Sequence, residues 1–205
     1  MAAGAATSMA QSNVYSLNIV GYINYSQPAN SFRVAANPLN LTNNDVSFVF
    51  TSASSYPALT IYKRNSSGTG YDFQSFDPDL LAWTGPLDVS PGAGLWIQSP
   101  VGNTFSNTYV GEVKLSSTVA IKAGYNLISS VVPDTGLLQT NDGIPGAPGD
   151  IIYFQNSSGT GYDQYPYDPD LGFWSPEPTN QVARGFWYLN SGTLKNWVRN
   201  FSVGP

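Results

Sequence analysis

The sequence predicts an all-β protein built from two tandem, homologous antiparallel β-sandwich or barrel-like units packed closely against each other. Three observations carry this expectation: a long internal repeat, a succession of short β-branched and aromatic runs bounded by turn residues, and the lack of any sustained helical period.

The repeat is the strongest of the three. Residues 61–83 (IYKRNSSGTGYDFQSFDPDLLAW) and 152–174 (IYFQNSSGTGYDQYPYDPDLGFW) are identical at 15 of 23 positions at a constant shift of 91, without a gap. The same shift carries Gly94-Leu95-Trp96 onto Gly185-Phe186-Trp187. Upstream, Ile19-Val20-Gly21-Tyr22-Ile23 resembles Tyr109-Val110-Gly111-Glu112-Val113, and Phe32-Arg33-Val34 resembles Tyr125-Asn126-Leu127. These matches divide the chain into an N-terminal arm with a signal-peptide remnant (1–18), a first unit (19–108) and a second (109–205).

Within each unit the strands follow in order. The runs 14–25, 58–63, 71–76, 94–98 and 109–115 are rich in Val, Ile, Tyr, Phe and Trp and end at Gly, Pro, Asn or Ser, as strands do. Asn65-Ser-Ser-Gly-Thr-Gly70 between two aromatic runs reads as a hairpin loop whose glycines accept positive φ. With 20 Gly and 15 Pro, long helices are disfavoured, although short turns near Asp45 or Leu137 suit a helical turn. The stretch 110–117 is itself strand-like, so a flexible linker between units is not expected.

Composition narrows the function classes. Charged residues make up 10% of the chain, against about 25% in an ordinary domain. The surface is therefore largely Asn, Ser, Thr, Gly and Tyr, a neutral hydrogen-bonding surface suited to lateral association or to uncharged sugars. A net charge of -5 with 8 scattered Lys and Arg gives no basic stripe, so nucleic acid is not an expected partner. The absence of Cys and His removes thiol nucleophiles, the soft metal ligands and the commonest general base. Glu112 and Glu177 occupy non-equivalent positions, which argues against a duplicated glycosidase pair. The expectation is a non-enzyme.

Ala2 to Ala10 is a run of small residues ending Ser8-Met9-Ala10 before Gln11, the pattern of a signal-peptide cleavage site, and no stretch has the length of a membrane span. An extracellular or cell-surface location follows. The text Asn18-Ile19-Val20-Gly21-Tyr22, Ala36-Asn37-Pro38-Leu39, Val110-Gly111-Glu112-Val113 and the ending Trp197 to Val203 resembles a family of uncharacterised secreted two-repeat β proteins of Verrucomicrobia-type bacteria. The resemblance covers nearly the whole chain and implies export and duplication. It brings no activity with it.

Three groups of residues stand out as sites. Asp72, Asp77 and Asp79 recur as Asp163, Asp168 and Asp170, six of the thirteen acidic residues in two equivalent loops. Alternating carboxylates on a turn suit Ca²⁺, and no other cofactor is expected; Asp before Pro or Leu equally forms a turn that binds its own backbone amides. The repeated rings Tyr62, Tyr71, Phe76, Trp83 and Trp96, with Tyr153, Tyr162, Tyr167, Trp174 and Trp187, suit either core packing or sugar stacking. Trp83 and Trp174, beside Pro- and Gly-rich loops, are the pair expected to be exposed, with Tyr71 and Tyr162 completing a sugar site. Finally, Val14, Leu17, Ile19, Val20 and Tyr22 form an N-terminal strand suited to adding onto the sheet edge of a neighbouring subunit.

Two functions follow as expectations. The first is a non-enzymatic structural subunit that self-assembles into, or decorates, an extracellular filament, sheath or matrix, its partner being itself. The second is a secreted carbohydrate-binding module that uses the duplicated aromatic and Asp loops to hold a polysaccharide.

Overall fold

The structure is a computed structural model and describes residues 19–202. In the first unit the strands are β1 (Val20–Gln27), β2 (Phe32–Ala36), β3 (Thr60–Arg64), β4 (Tyr71–Asp77), β5 (Ala82–Trp83), β6 (Gly94–Gln98) and β7 (Phe105–Glu112). One short α-helix, α1 (Val46–Val49), and a single 3-10 turn at Ala53–Ser55 follow β2. The second unit holds β8 (Ser116–Ile121), β9 (Gly124–Ser129), β10 (Gly136–Leu137), β11 (Ile151–Gln155), β12 (Tyr162–Asp168), β13 (Phe173–Trp174), β14 (Thr179–Asn180), β15 (Gly185–Asn190) and β16 (Lys195–Asn200).

The two units share one antiparallel plan. A five-stranded sheet ordered β2-β6-β3-β4-β5 corresponds, strand for strand, to a second ordered β9-β15-β11-β12-β13. Each sheet has one face covered by a two-stranded ribbon made from its unit's first and last strands, β1 with β7 and β8 with β16. The alternation of strand side chains sorts the residues into layers. In β6, Leu95 and Ile97 are fully buried against Ile61, Phe105 and Tyr109, whereas Trp96 points to the opposite face. In β15, Phe186 and Tyr188 face the second core, with Ile152, Trp174 and Trp197.

The pairing corrects the expected unit boundary. Residues 109–112, aligned in sequence with 19–22, form the end of β7 and pair with β1 from Val20↔Glu112 to Gln27↔Phe105, so they close the first unit. The second unit opens at β8. The shared Val-Gly text has a local cause: Gly21 and Gly111 are directly opposed across the ladder, and the segment Leu39–Asn40 lies against both. A Cβ on Gly21 would sit 2.9 Å from Leu39 Cδ2, and one on Gly111 would sit 2.7 Å from the Asn40 carbonyl oxygen. Near Asp45 the expected helical turn is α1, capped by the Asp45 carboxylate, which accepts from the Ser47 amide at 3.0 Å. Near Leu137 the chain forms β10, paired with β14, and leaves it through a turn with helical spacing, in which the Asn141 amide donates to the Leu137 carbonyl at 2.9 Å and the Gly143 amide to that of Gln139 at 3.1 Å.

The units meet with approximate two-fold symmetry. The Ala36 amide donates to the Ala183 carbonyl at 2.9 Å, and the equivalent Ser129 amide donates to the Gly92 carbonyl at 3.1 Å. Gly94 and Gly185, recurrent in sequence, stand at this junction. A Cβ on Gly185 would lie 2.6 Å from the Ala35 carbonyl oxygen, and one on Gly94 would lie 2.9 Å from that of Ile128. The repeated glycine is therefore a requirement of close approach between units.

The hairpin loops complete the junction. Asn65 Oδ1 accepts from the Thr69 and Gly70 amides, and Asn156 Oδ1 accepts from those of Gly159, Thr160 and Gly161, which fixes both loops from within. Each loop leans on the other unit. Lys122 Nζ donates to the Ser66 carbonyl at 3.2 Å, and Arg33 Nη1 donates to the Asn156 carbonyl at 3.2 Å.

Candidate functional site

Both sheets turn a row of rings away from their cores. On the first sheet the cross-strand row Val34–Trp96–Tyr62–Phe73 runs over β2, β6, β3 and β4. On the second, Leu127–Trp187–Tyr153–Gln164 occupies the matching positions. Phe32 and Tyr71 lie on the same face of the first sheet, and Tyr125 and Tyr162 on that of the second. At every one of these repeat-equivalent positions except Phe73/Gln164, an aromatic in one unit corresponds to an aromatic in the other, or an aliphatic to an aliphatic. Neither sheet's ribbon covers this face, so Phe32, Tyr71, Phe73, Tyr125 and Tyr162 stay substantially exposed.

Because the sheets join at β2/β6 and β9/β15, the two rows meet. Between them lies a cleft of about 380 Å³ walled by Arg64, Tyr71 and Trp96 from the first unit and by Tyr125, Tyr153, Tyr162 and Trp187 from the second. A second depression of about 500 Å³ shares Tyr71 and Trp96 and runs on past Phe32, Tyr62 and Gln98 to Asn30, Ser31 and Ser99. The floor is preorganised. Phe32 stacks on Trp96 with centroids 4.5 Å apart and planes 11° apart, and the Tyr62 hydroxyl donates to Gln98 Oε1 at 2.8 Å. Tyr125 stands edge-on to Trp187 at 6.2 Å. Burial pushes the Tyr153 and Tyr162 hydroxyls above their usual range, Tyr153 also through its neighbour Tyr125, so both are neutral hydroxyls at physiological pH. The site thus offers flat apolar faces rimmed by neutral hydroxyl and amide groups.

Its one charged lining residue is Arg64. The guanidinium lies 5.1 Å over the Trp187 ring, and its Nη2 donates to the Gly68 carbonyl.

No family model, curated protein or solved structure matches the chain. What the cleft can do is read from its own chemistry.

The residues expected from sequence divide between this cleft and other places. Tyr71 and Tyr162 are related by the repeat, are 40% exposed each, and both wall the cleft. Trp83 and Trp174 do not join them. Trp174 is 1% exposed and is enclosed edge-on by Tyr167 at 5.4 Å and Tyr188 at 5.7 Å. Trp83 packs partly buried against the first core, 5.9 Å from Phe76 and 6.3 Å from Phe50. Both follow the same rule: β5 and β13 pair with the ends of β4 and β12 and turn these indoles inward, on the side opposite the cleft.

The repeated aspartates make turns. Asp77 Oδ1 accepts from the Asp79 and Leu80 amides at 2.8 and 3.2 Å, and Asp168 Oδ1 repeats this with Asp170 and Leu171 at 2.9 and 3.2 Å. The side chains of Asp79 and Asp170 are exposed within the turns, and Asp72 and Asp163 are exposed on the strands. Among the described residues no three carboxylates gather into a metal cluster. Of the assembly strand, Val14 and Leu17 lie outside the described residues. Ile19, Val20 and Tyr22 belong to the β1 region, where the Ile19 carbonyl accepts from the Val113 amide and β1 is paired along its length with β7. Among the described residues no helix is long and apolar enough to cross a membrane.

Sequence reasoning missed Phe32 and Tyr125 as cleft residues, and it left Tyr62, Trp96, Tyr153 and Trp187 open between core packing and sugar stacking. A signal was present in strand parity. In Leu95-Trp96-Ile97 the indole alternates with two aliphatic core residues, and Ile61-Tyr62 and Ile152-Tyr153 show the same alternation.

Proposed function

We propose that this chain is a carbohydrate-binding protein whose single binding cleft is formed jointly by its two units. The observation that carries the reading is the duplicated row of outward rings that converges on the pseudo-two-fold junction. Sugar rings present an apolar face of axial C–H groups and an equatorial belt of hydroxyls. Tyr and Trp faces accept the first, while Tyr hydroxyls, Gln98, Asn30 and the serines accept or donate to the second. Uncovered aromatics on this scale mark a binding surface in a folded chain, since solvent exposure of such area is unfavourable.

Affinity electrophoresis through gels containing soluble polysaccharides tests the proposal. The wild type is expected to be retarded by at least one polymer, and Tyr71→Ala/Tyr162→Ala to run freely. Tyr22→Ala provides the control, because Tyr22 is 75% exposed on the ribbon, outside the cleft. Equal mobility of wild type and double variant in every gel rejects the reading.

Self-association has one observation in its favour. Val20, Tyr22 and Val110, which are 55%, 75% and 40% exposed, form an apolar patch on the outer face of the β1–β7 ribbon. If that patch joins copies of the chain, sedimentation at increasing concentration shows species larger than a monomer, and Tyr22→Ser abolishes them. A concentration-independent monomer removes this second reading.

A further inference from the structure

We infer that the cleft takes an acidic polysaccharide, the carboxylate of a uronic acid residue being held by Arg64. The inference rests on the carbohydrate reading above and names the class of sugar.

Arg64 and Gln155 are equivalent in the repeat, each ending the strand before an Asn-Ser-Ser-Gly-Thr-Gly loop. In the second unit Gln155 Nε2 donates to the Gly159 carbonyl at 3.0 Å, and in the first unit Arg64 Nη2 donates to the equivalent carbonyl of Gly68. A neutral amide therefore performs the loop-fixing task. The positive charge of Arg64 exceeds what the hairpin requires, and it is placed in the wall of the aromatic cleft.

Among the described residues that charge has no counter-ion. The ion pairs among the described residues are Lys63–Asp88, Lys195–Asp150 and Arg199 with Asp134 and Asp142, and none includes Arg64. Its Nε is buried without a partner, and its Nη1 makes no hydrogen bond to a described residue. The fully buried Asp150 is paired, receiving Lys195 at 2.5 Å and the Tyr188 hydroxyl at 2.6 Å, whereas the half-buried Arg33 and Arg184 resemble Arg64 in donating to backbone carbonyls with no ion pair among the described residues; of the three, Arg64 alone lines the aromatic cleft. A guanidinium presents paired N–H donors that match a carboxylate, and stacking on Trp187 holds its plane in place.

The neighbouring surface has the same sign. Beside the cleft, sharing Arg64 and Tyr125 with it, lies a depression of about 540 Å³ lined by Lys122 and the 65–68 loop and by no carboxylate. Lys63 at its edge is already paired with Asp88, which leaves Arg64 and Lys122 to face a ligand. In a chain of net charge -5, two unpaired cations at one end of an aromatic groove fit a polymer whose sugars carry carboxylates.

The test is calorimetric titration of the full chain with uronate oligosaccharides from pectin and alginate, and with their methyl esters, which keep the sugar rings and remove the charge. The wild type is expected to bind one of the acids at least about tenfold more tightly than its ester, with the preference shrinking as salt rises. Arg64→Gln copies the residue at the second unit's position, so it keeps the hairpin bond; it is expected to bind acid and ester alike. Lys122→Gln is expected to lose part of the preference. Acid and ester binding the wild type equally, or an unchanged preference in Arg64→Gln, overturns the acidic ligand and leaves the carbohydrate reading standing. Binding by no acid, no ester and no neutral polymer overturns both.

Discussion

Replacing Gly185 by Ala tests whether the junction that creates the cleft is as close as the structure shows. The added Cβ would lie 2.6 Å from the Ala35 carbonyl oxygen, 3.0 Å from Val34 Cγ1 and 3.2 Å from Gly94 Cα. The nearest of these is backbone held in the β2–β6 ladder, so it cannot rotate away. Overpacking of this kind costs about 1–3 kcal/mol. Spreading the junction to relieve it strains the Ala36–Ala183 and Ser129–Gly92 hydrogen bonds, worth about 1 kcal/mol each. A destabilisation of about 3 kcal/mol is expected, offset in small part by the lower backbone freedom of Ala in the unfolded chain. Urea unfolding followed by tryptophan fluorescence measures it. Gly192→Ala is the control: its Cβ would meet nothing closer than 3.8 Å, and it should stay within about 0.5 kcal/mol of wild type. If Gly185→Ala is as stable as Gly192→Ala, the close junction, and with it the jointly built cleft, is wrong.

Three further outcomes follow from the packing and electrostatics. Burial first, then the neighbouring Asp134 charge, raises the Asp142 carboxyl to about 6, against the lowering effect of Arg199. A raised folded value means that the Asp142 contribution is fully present below about pH 4 and is lost as pH rises to about 6, on the order of 2 kcal/mol. The difference in unfolding free energy between wild type and Asp142→Asn, followed from pH 4 to 7, should therefore change across that window; a constant difference would refute the assignment. Trp174→Ala should cost about 3–5 kcal/mol by chemical denaturation, as for a fully buried ring, and a loss below 1 kcal/mol would place the indole outside the core. Because Asp77 and Asp168 already accept from their own loop amides, millimolar Ca²⁺ or EDTA should leave the thermal midpoint unchanged. A Ca²⁺-dependent rise would show that the turns open to hold the ion.

Much of the fold was legible because duplication and strand chemistry are local signals. The Asn-Ser-Ser-Gly-Thr-Gly loops, the strands on either side of them and the equivalence of β2 with β9 follow from text alone. The unit boundary was not legible in the same way. Gly21 and Gly111 look like copies of one position, yet they are cross-strand partners that touch the same segment, and only the pairing distinguishes the two cases. The cleft suffers from a related ambiguity. Trp83, Trp174, Trp96 and Trp187 all recur, and recurrence is silent on which sheet face a ring occupies. Alternation with Leu95 and Ile97 assigns Trp96 to the outer face, whereas β5 and β13 are two residues long and offer no alternation to read. The role of Arg64 was further hidden, because its significance lies in comparison with the bond Gln155 makes in three dimensions.

The most direct test of the central claim is calorimetric titration with a length series of the oligosaccharide that retards the protein best. One cleft built by two units predicts one ligand per chain, with affinity rising with oligomer length until the groove is spanned and level thereafter. Two equivalent ligands per chain, with no dependence on length beyond the shortest that binds, would mean that each unit binds sugar alone and would contradict the account.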